Sequence, residues 1–195
     1  MKKLLFVLVS CSSLTACIPV AFVAGAAATG TVVTDGRDLH TQVDDKTIAH
    51  HVRTALNLNK HIKNDTRISV STFNRIVLLT GRARDEELRE LATTITRSVP
   101  KVRRVHNEII IANKSTFKEA AADTWLTTKI KSSLLAERGL NSATIKVVTD
   151  NSTAYLLGLV SRDQAEVATN VTRHVPGVAK VVKLFEYTTD HKPLL

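Results

Sequence analysis

The chain reads as an α+β protein assembled from two tandem copies of one small unit. Three observations point there: internal self-similarity, a repeated switch of hydrophobic periodicity, and a proline stop in each copy. Asp45-Lys46-Thr47-Ile48 through Leu56 aligns with Asp123-Thr124-Trp125-Leu126 through Leu134, and Ile68-x-Val70 aligns with Ile145-x-Val147. Further on, Val77-Leu78-Leu79-Thr80-Gly81 matches Ala154-Tyr155-Leu156-Leu157-Gly158, and Arg97-Ser98-Val99-Pro100-Lys101-Val102 matches Arg173-His174-Val175-Pro176-Gly177-Val178. The offset drifts from 78 to 77 to 76, so two one-residue gaps align a unit of about 65 residues with its own duplicate.

Each copy opens on a helix, because Ile48, Val52 and Leu56, and then Leu126, Ile130 and Leu134, recur four apart and so share one face. Two short β-branched strands follow, 67–73 with 75–80 and 144–149 with 153–157, joined by tight turns for which Asp150-Asn151-Ser152 is good material. A second helix follows the glycine, with Leu88, Leu91, Ala92 and Ile95 in the first copy and Ala165, Ala168 and Val171 in the second. Pro100 and Pro176 stop it, since proline cannot continue helical hydrogen bonding. A last strand, 102–111 or 178–187, completes the order α-β-β-α-β, twice.

Ahead of the duplication, Lys2-Lys3, an apolar run from Leu4 to Val9 and Leu14-Thr15-Ala16-Cys17 have the layout of an export signal: positive, greasy, then small residues. The tetrapeptide resembles the lipobox of bacterial lipoproteins. That resemblance implies cleavage before Cys17, so that residues 1–16 are a signal peptide, and acylation of Cys17 with palmitate-like chains. Stable anchoring needs at least two chains, each buried methylene contributing about 0.8 kcal/mol. Ile18 stands where an aspartate would favour inner-membrane retention, which points to the periplasmic face of the outer membrane. The alternative is an uncut signal anchor, but Ser10-Cys11-Ser12-Ser13 and Pro19 interrupt the apolar stretch from Lys2 to Val33. Residues 17–44, rich in Ala, Gly, Val and Thr before turning polar, read as the acylated terminus and a tether. Gly25 to Gly30 lacks the Gly-Lys-Ser/Thr ending of a phosphate loop.

The first helix, the Ile-x-Val strand, the Leu-rich strand ending in glycine and the Val-Pro/Gly-x-Val step together resemble the BON family, named for a bacterial osmotically inducible protein and nodulation proteins. The resemblance covers nearly all of both copies. It implies two domains, 45–112 and 123–188, separated by a linker at 113–122 and followed by a tail at 189–195. Each would carry a three-stranded mixed sheet packed on two helices. For a two-domain member behind a lipobox it also implies binding of anionic phospholipid, chiefly phosphatidylglycerol, through the first helix of the second domain. A role in envelope integrity near the division site comes with it.

Duplicated units share a core, so function is sought where their surfaces diverge. On a wheel of 100° per residue, Trp125, Thr128, Lys129, Ser132 and Leu135 face away from Leu126, Ile130 and Leu134. The same positions in the first copy are Thr47, His50, His51, Thr54 and Asn57, polar where the second copy is greasy. A tryptophan suits the headgroup boundary, and a neighbouring lysine adds about 1 kcal/mol of attraction to anionic lipid. The competing reading has Trp125 covering the join between the domains or packing on the linker.

With residues 1–16 removed the chain keeps 25 Lys+Arg and 18 Asp+Glu, a formal charge of +7. In an exported, acylated protein that charge meets anionic headgroups, not nucleic acid. The first copy is the more basic, with 13 cationic and 7 anionic residues; its Arg82, Arg84, Arg103 and Arg104 read as a solvated face, the alternative being a diffuse attraction to anionic lipid. Cys17 is then the only cysteine, which excludes an internal disulfide or thiolate metal site. The seven histidines lack metal spacing, and Asp85-Glu86-Glu87 fits a helix start. No catalytic residues, metal or cofactor are expected. The leading expectation is a non-enzymatic lipid-binding lipoprotein. The alternatives are a module docking on an outer-membrane or cell-wall protein assembly, and a periplasmic chaperone.

Overall fold

The computed structural model describes residues 39–112 and 117–188; the signal, Cys17, most of the tether and the tail lie outside them. The first copy runs α1 (Leu39–Leu58), α2 (Lys60–Asp65), β1 (Thr66–Phe73), β2 (Ile76–Ala83), α3 (Glu86–Arg97) and β3 (Arg104–Ile111). The second runs α4 (Phe117–Ala136), a 3-10 turn (Ser142–Thr144), β4 (Ile145–Asp150), β5 (Thr153–Val160), α5 (Arg162–Arg173) and β6 (Lys180–Tyr187). Each copy holds one mixed three-stranded sheet, in the order β1-β2-β3 or β4-β5-β6. The hairpin is antiparallel, with Val70 opposite Leu79 and Val147 opposite Leu156. The last strand is parallel to the central one, as a helical crossover through α3 or α5 requires.

The helix pattern read from the sequence is the buried one. Ile48, Val52 and Leu56 enter the first core with Val77, Leu79 and Ala92, and Leu126, Ile130 and Leu134 enter the second with Ala154, Leu156 and Ala168. Both first helices start earlier than the repeat alone suggests, α1 at Leu39 and α4 at Phe117. The segment 117–122 assigned to a linker is therefore helical, in keeping with the helix-favouring Lys118, Glu119 and three alanines. The short helix α2 is an addition in the first copy, opened by Asn59, whose side chain accepts from the His61 and Ile62 amides.

The central strands also run past the glycines that the sequence reading made their ends. Gly81 lies inside β2 at φ +113°, where a Cβ would stand well inside contact distance of the Arg67 carbonyl. Gly158 sits inside β5, where a Cβ would approach the Thr144 carbonyl to 2.8 Å. In each copy the glycine lets the neighbouring backbone close in; it does not terminate the strand.

Both hairpin turns use two consecutive left-handed residues, Asn74 and Arg75 (φ 50° and 61°) and Asn151 and Ser152 (φ 48° and 59°). A carboxylate from the first helix holds each. Asp45 accepts from the Asn74 and Arg75 amides at 2.8 and 2.7 Å, and Asp123 accepts from those of Asn151 and Ser152 at 2.9 and 3.1 Å. The aspartate that opens each copy's alignment thus ties helix to hairpin.

The two sheets turn their second faces toward one another. Phe73 and Leu78 from the first copy and Tyr155 and Leu157 from the second form a shared buried cluster, bordered by Val148, Leu159, Val182 and Leu184. Helices therefore cover the outer face of each sheet, and the inner faces cover each other. Burial, with smaller contributions from the carboxylates of Glu108 and Asp150, pushes the Tyr155 phenol up to about 12.

Candidate functional site

The outer face of α4 is fixed from below. Leu126, Ile130 and Leu134 are buried, and the Asp123 carbonyl accepts from the hydroxyls of Thr127 at 3.0 Å and Thr149 at 2.6 Å. Thr149 reaches that helix carbonyl from β4, so the helix is pinned to the sheet as well as to the turn. A rigid support of this kind presents its opposite side chains at fixed positions.

Those side chains include two large apolar groups in solvent, Trp125 at 65% and Leu135 at 74% exposure. Thr128 and Ser132 are exposed between them, and the Thr128 hydroxyl donates to the Thr124 carbonyl at 3.1 Å, which satisfies its proton within the helix. Lys129 is half-buried: its ammonium donates to the Pro176 carbonyl at 3.1 Å and lies 6.0 Å from the centre of the Trp125 ring. That cation over the ring face steadies the indole. Trp125 is absent from the cluster that joins the two sheets, so it does not cover the domain join.

Lys131, which the sequence places near this face, flanks it on the other side. At about 100° per residue, Lys129 lies roughly 40° to one side of Trp125, and Lys131 roughly 40° beyond Leu135 on the other. The exposed face is thus an apolar and hydroxyl stripe between two lysines. Beside Leu135 the stripe continues into a groove of about 360 Å³ lined by Lys131, Leu134, Ala143, Ile145 and their neighbours. On α1 the matching positions Thr47, His50, His51, Thr54 and Asn57 are all exposed and polar, and its exposed large apolar residues, Val43 and Leu58, stand at other positions.

A second concavity, about 390 Å³, lies between the copies and is lined by Arg67, Arg82, Glu119, Asp123, Lys146 and Asp150 among others. Most of its charges are engaged in the join. Arg82 pairs with Glu119 at 3.1 Å, the Lys146 ammonium donates to the Thr72 carbonyl at 3.0 Å, and the Asp150 carboxylate accepts from the Gly81 amide at 3.2 Å. Burial first, then the neighbouring Asp123 carboxylate, holds the Asp150 carboxyl above its usual range. Nearby, Glu186 takes the Arg103 guanidinium and the Asn74 amide. Arg82 is therefore a largely buried tie to the second copy, whereas Arg103 and Arg84 remain solvated while pairing with Glu186 and with Asp65 and Asp85. Length in sequence hides such pairing, since Arg103 and Glu186 are 83 residues apart.

The acidic run at 85–87 serves α3: Asp85 accepts from the Leu88 amide, and that bond lowers its pKa. Among the described residues no group of three or more His, Cys, Asp or Glu is placed to hold a metal ion. No helix among them is long and apolar enough to cross a membrane.

Comparison with known proteins adds a family to this geometry. The chain is 33% identical over 187 residues to the outer membrane lipoprotein DolP of Haemophilus influenzae, covering 96% of each chain. It is 36% identical over 153 residues to a 21 kDa hemolysin of Actinobacillus pleuropneumoniae, with 78% of this chain and 79% of that one covered. It is 32% identical over 142 residues to osmotically-inducible protein Y of Escherichia coli, covering 71% and 70%. The BON domain pattern matches twice, at residues 44–113 and 122–189, each match spanning one of the two mixed sheets and its helices. The chain therefore belongs to the BON family, as a protein of two tandem BON domains.

Proposed function

We propose that this protein is a non-enzymatic lipoprotein of the bacterial envelope, anchored through Cys17 to the periplasmic face of the outer membrane, that binds anionic phospholipid through the outer face of α4. The observation that carries the proposal is the pairing of exposed Trp125 and Leu135 on one rigid helix face, flanked by Lys129 and Lys131. The name of the Haemophilus relative supports the location, and the lipobox-like Leu14-Thr15-Ala16-Cys17 supports the anchor. A helix lying in the interface would sink Trp125 and Leu135 among the upper methylenes, while lysines at its flanks met phosphates. Acyl chains at Cys17 would supply the anchorage. The helix would then select phosphatidylglycerol-like headgroups and set the orientation of both domains, in support of envelope integrity and enrichment at the division site.

The test is vesicle flotation with residues 17–195 carrying Cys17→Ser, so that no acyl chain contributes. Binding to phosphatidylglycerol vesicles and its loss in the folded Trp125→Glu/Leu135→Glu variant is the expected result; undiminished binding by that variant refutes the site.

A second reading, docking on an outer-membrane or cell-wall protein, draws on a different observation. Ile110 and Ile111 are exposed at the end of β3, an edge strand with one neighbour in its sheet. An edge of this kind accepts an added strand. Loss of a crosslinked protein partner on Ile111→Lys, with vesicle binding intact, would support it.

A further inference from the structure

The apolar surface of the second domain does not stop at the α4 face. Leu135 belongs to that face and also to the wall of the 360 Å³ groove between the end of α4, the 3-10 turn and β4. The groove's floor is made by the buried Leu134, Ile145 and Val147, and Ala143 stands exposed on the side opposite the helix. Ser142 and the exposed Lys131 are its only side chains with polar atoms, and no carboxylate lines it.

The first domain supplies an internal control. The equivalent concavity, about 250 Å³, lies between Leu56, Ile62, Ile68 and Val70, but Arg53, Asn57, Lys63 and Arg67 also line it. Arg53 takes the place of Lys131 and donates to the Val70 carbonyl at 2.7 Å, across the concavity. Two copies with one fold have thus kept a hollow at the same place and given it opposite chemistry. The apolar version occurs in the copy that exposes Trp125 and Leu135, and directly beside them.

An interfacial helix that only dips its outer face among lipids has no use for such a hollow. We infer that the groove beside α4 receives one acyl chain of a phospholipid whose phosphate pairs with Lys131, so that this domain holds a single lipid molecule in addition to resting on a leaflet. The inference rests on the reading of α4 as a lipid-binding face and deepens it. Charge and shape agree with that occupant. A cation stands at the mouth of a carbon-lined slot, as an amphiphile with an anionic head and an apolar tail requires, and the absence of a carboxylate from the lining leaves that anion unopposed. Lys129 gives one N–H to the Pro176 carbonyl and does not line the groove, so Lys131 is the lysine of the pair that stands at the slot.

Short-chain dihexanoyl-phosphatidylglycerol, kept below its micelle concentration, separates capture of one molecule from adsorption to a surface. It would be titrated into isotopically labelled residues 17–195 bearing Cys17→Ser, with long-chain phosphatidylglycerol vesicles as the second arm. The expected result is saturable one-to-one binding with amide shifts at Ala143, Ile145 and Val147, weakened at least tenfold by Ala143→Phe, which fills the slot from an exposed position. Lys131→Glu should weaken it similarly, and dihexanoyl-phosphatidylcholine should bind less tightly. Vesicle binding without monomer binding, or monomer binding unchanged in both variants, overturns the groove and leaves the α4 face standing. Binding to neither lipid form overturns both.

Discussion

The first helices of the two domains have the same length, the same buried four-residue repeat and the same aspartate holding a left-handed turn, yet their outer faces share almost nothing. Helix α1 presents threonine, histidine and asparagine where α4 presents tryptophan, threonine, lysine, serine and leucine. Packing restricts the inner face, because a methylene lost or gained in a core is felt. The outer face is restricted only by what it must touch. Divergence confined to the outer face therefore separates what the fold needs from what the second domain does with it, and the paired grooves repeat the lesson at a second place.

The largest effect should come from breaking what the copies share, and its size should differ between them. Gly81→Ala meets both a left-handed φ and the Arg67 carbonyl, whereas Gly158→Ala meets a carbonyl and the yielding ring of Phe185. Chemical denaturation should report a loss of about 4 kcal/mol or more for Gly81→Ala and a smaller one for Gly158→Ala; equal losses would refute the strain argument.

Next in size is the divergent face. Trp125 and Leu135 each offer roughly 1.5–3 kcal/mol on burial, so converting both to glutamate should weaken binding to anionic vesicles by about a hundredfold or more. The thermal midpoint should scarcely move, because exposed positions usually change stability within about 0.5 kcal/mol. The converse graft of Thr47→Trp, His51→Lys and Asn57→Leu onto that variant should restore part of the binding through α1. A graft that folds and restores nothing would mean that the outer face alone does not make the site.

The shared turn clasp is smaller again. Asp45 is buried and Asp123 is half-exposed, so Asp45→Ala should cost about 2–3 kcal/mol and Asp123→Ala less, as read by urea titration. A larger loss for Asp123→Ala would reverse the ranking that burial gives.

The smallest effect lies at the join. Burial and Asp123 raise the Asp150 carboxyl pKa, so the folded state binds this proton more readily than the unfolded chain does. Asp150 therefore lowers stability as pH rises from the ordinary aspartate range through its raised value, and acidification through that window restores it. Asp150→Asn keeps an acceptor for the Gly81 amide without the charge. It should raise the melting temperature slightly at neutral pH and flatten the acid-side slope; an unchanged slope would exclude Asp150 as its source.

Much of this architecture is written locally. Ile48, Val52 and Leu56 are spaced for one helix face, and Pro100 and Pro176 mark where the second helices stop. The packing of sheet on sheet was also encoded, in a less obvious form. Val77-Leu78-Leu79 and Tyr155-Leu156-Leu157 do not alternate with polar residues, and a strand apolar on both faces must be covered on both. Helix α2 left little trace, since Ile62 is its one buried residue. The pairings of Arg82 with Glu119 and Arg103 with Glu186 follow from the docking of two sheets, which no local pattern carries. For the α4 face, periodicity placed Trp125 and Leu135 outward, whereas the half-buried tie of Lys129 to Pro176 and the groove beside Lys131 needed the packed second helix and the 3-10 turn.

Trp125 is the only tryptophan in the chain, so its emission tests the central claim directly. Residues 17–195 with Cys17→Ser should emit as an exposed indole alone, shift to the blue on titration with phosphatidylglycerol vesicles, and shift back as salt screens the flanking lysines. Phosphatidylcholine vesicles should leave the spectrum unchanged. An emission that stays that of an exposed indole with the anionic vesicles, or an equal shift with the zwitterionic ones, would contradict the assignment of α4 as an anionic-lipid face.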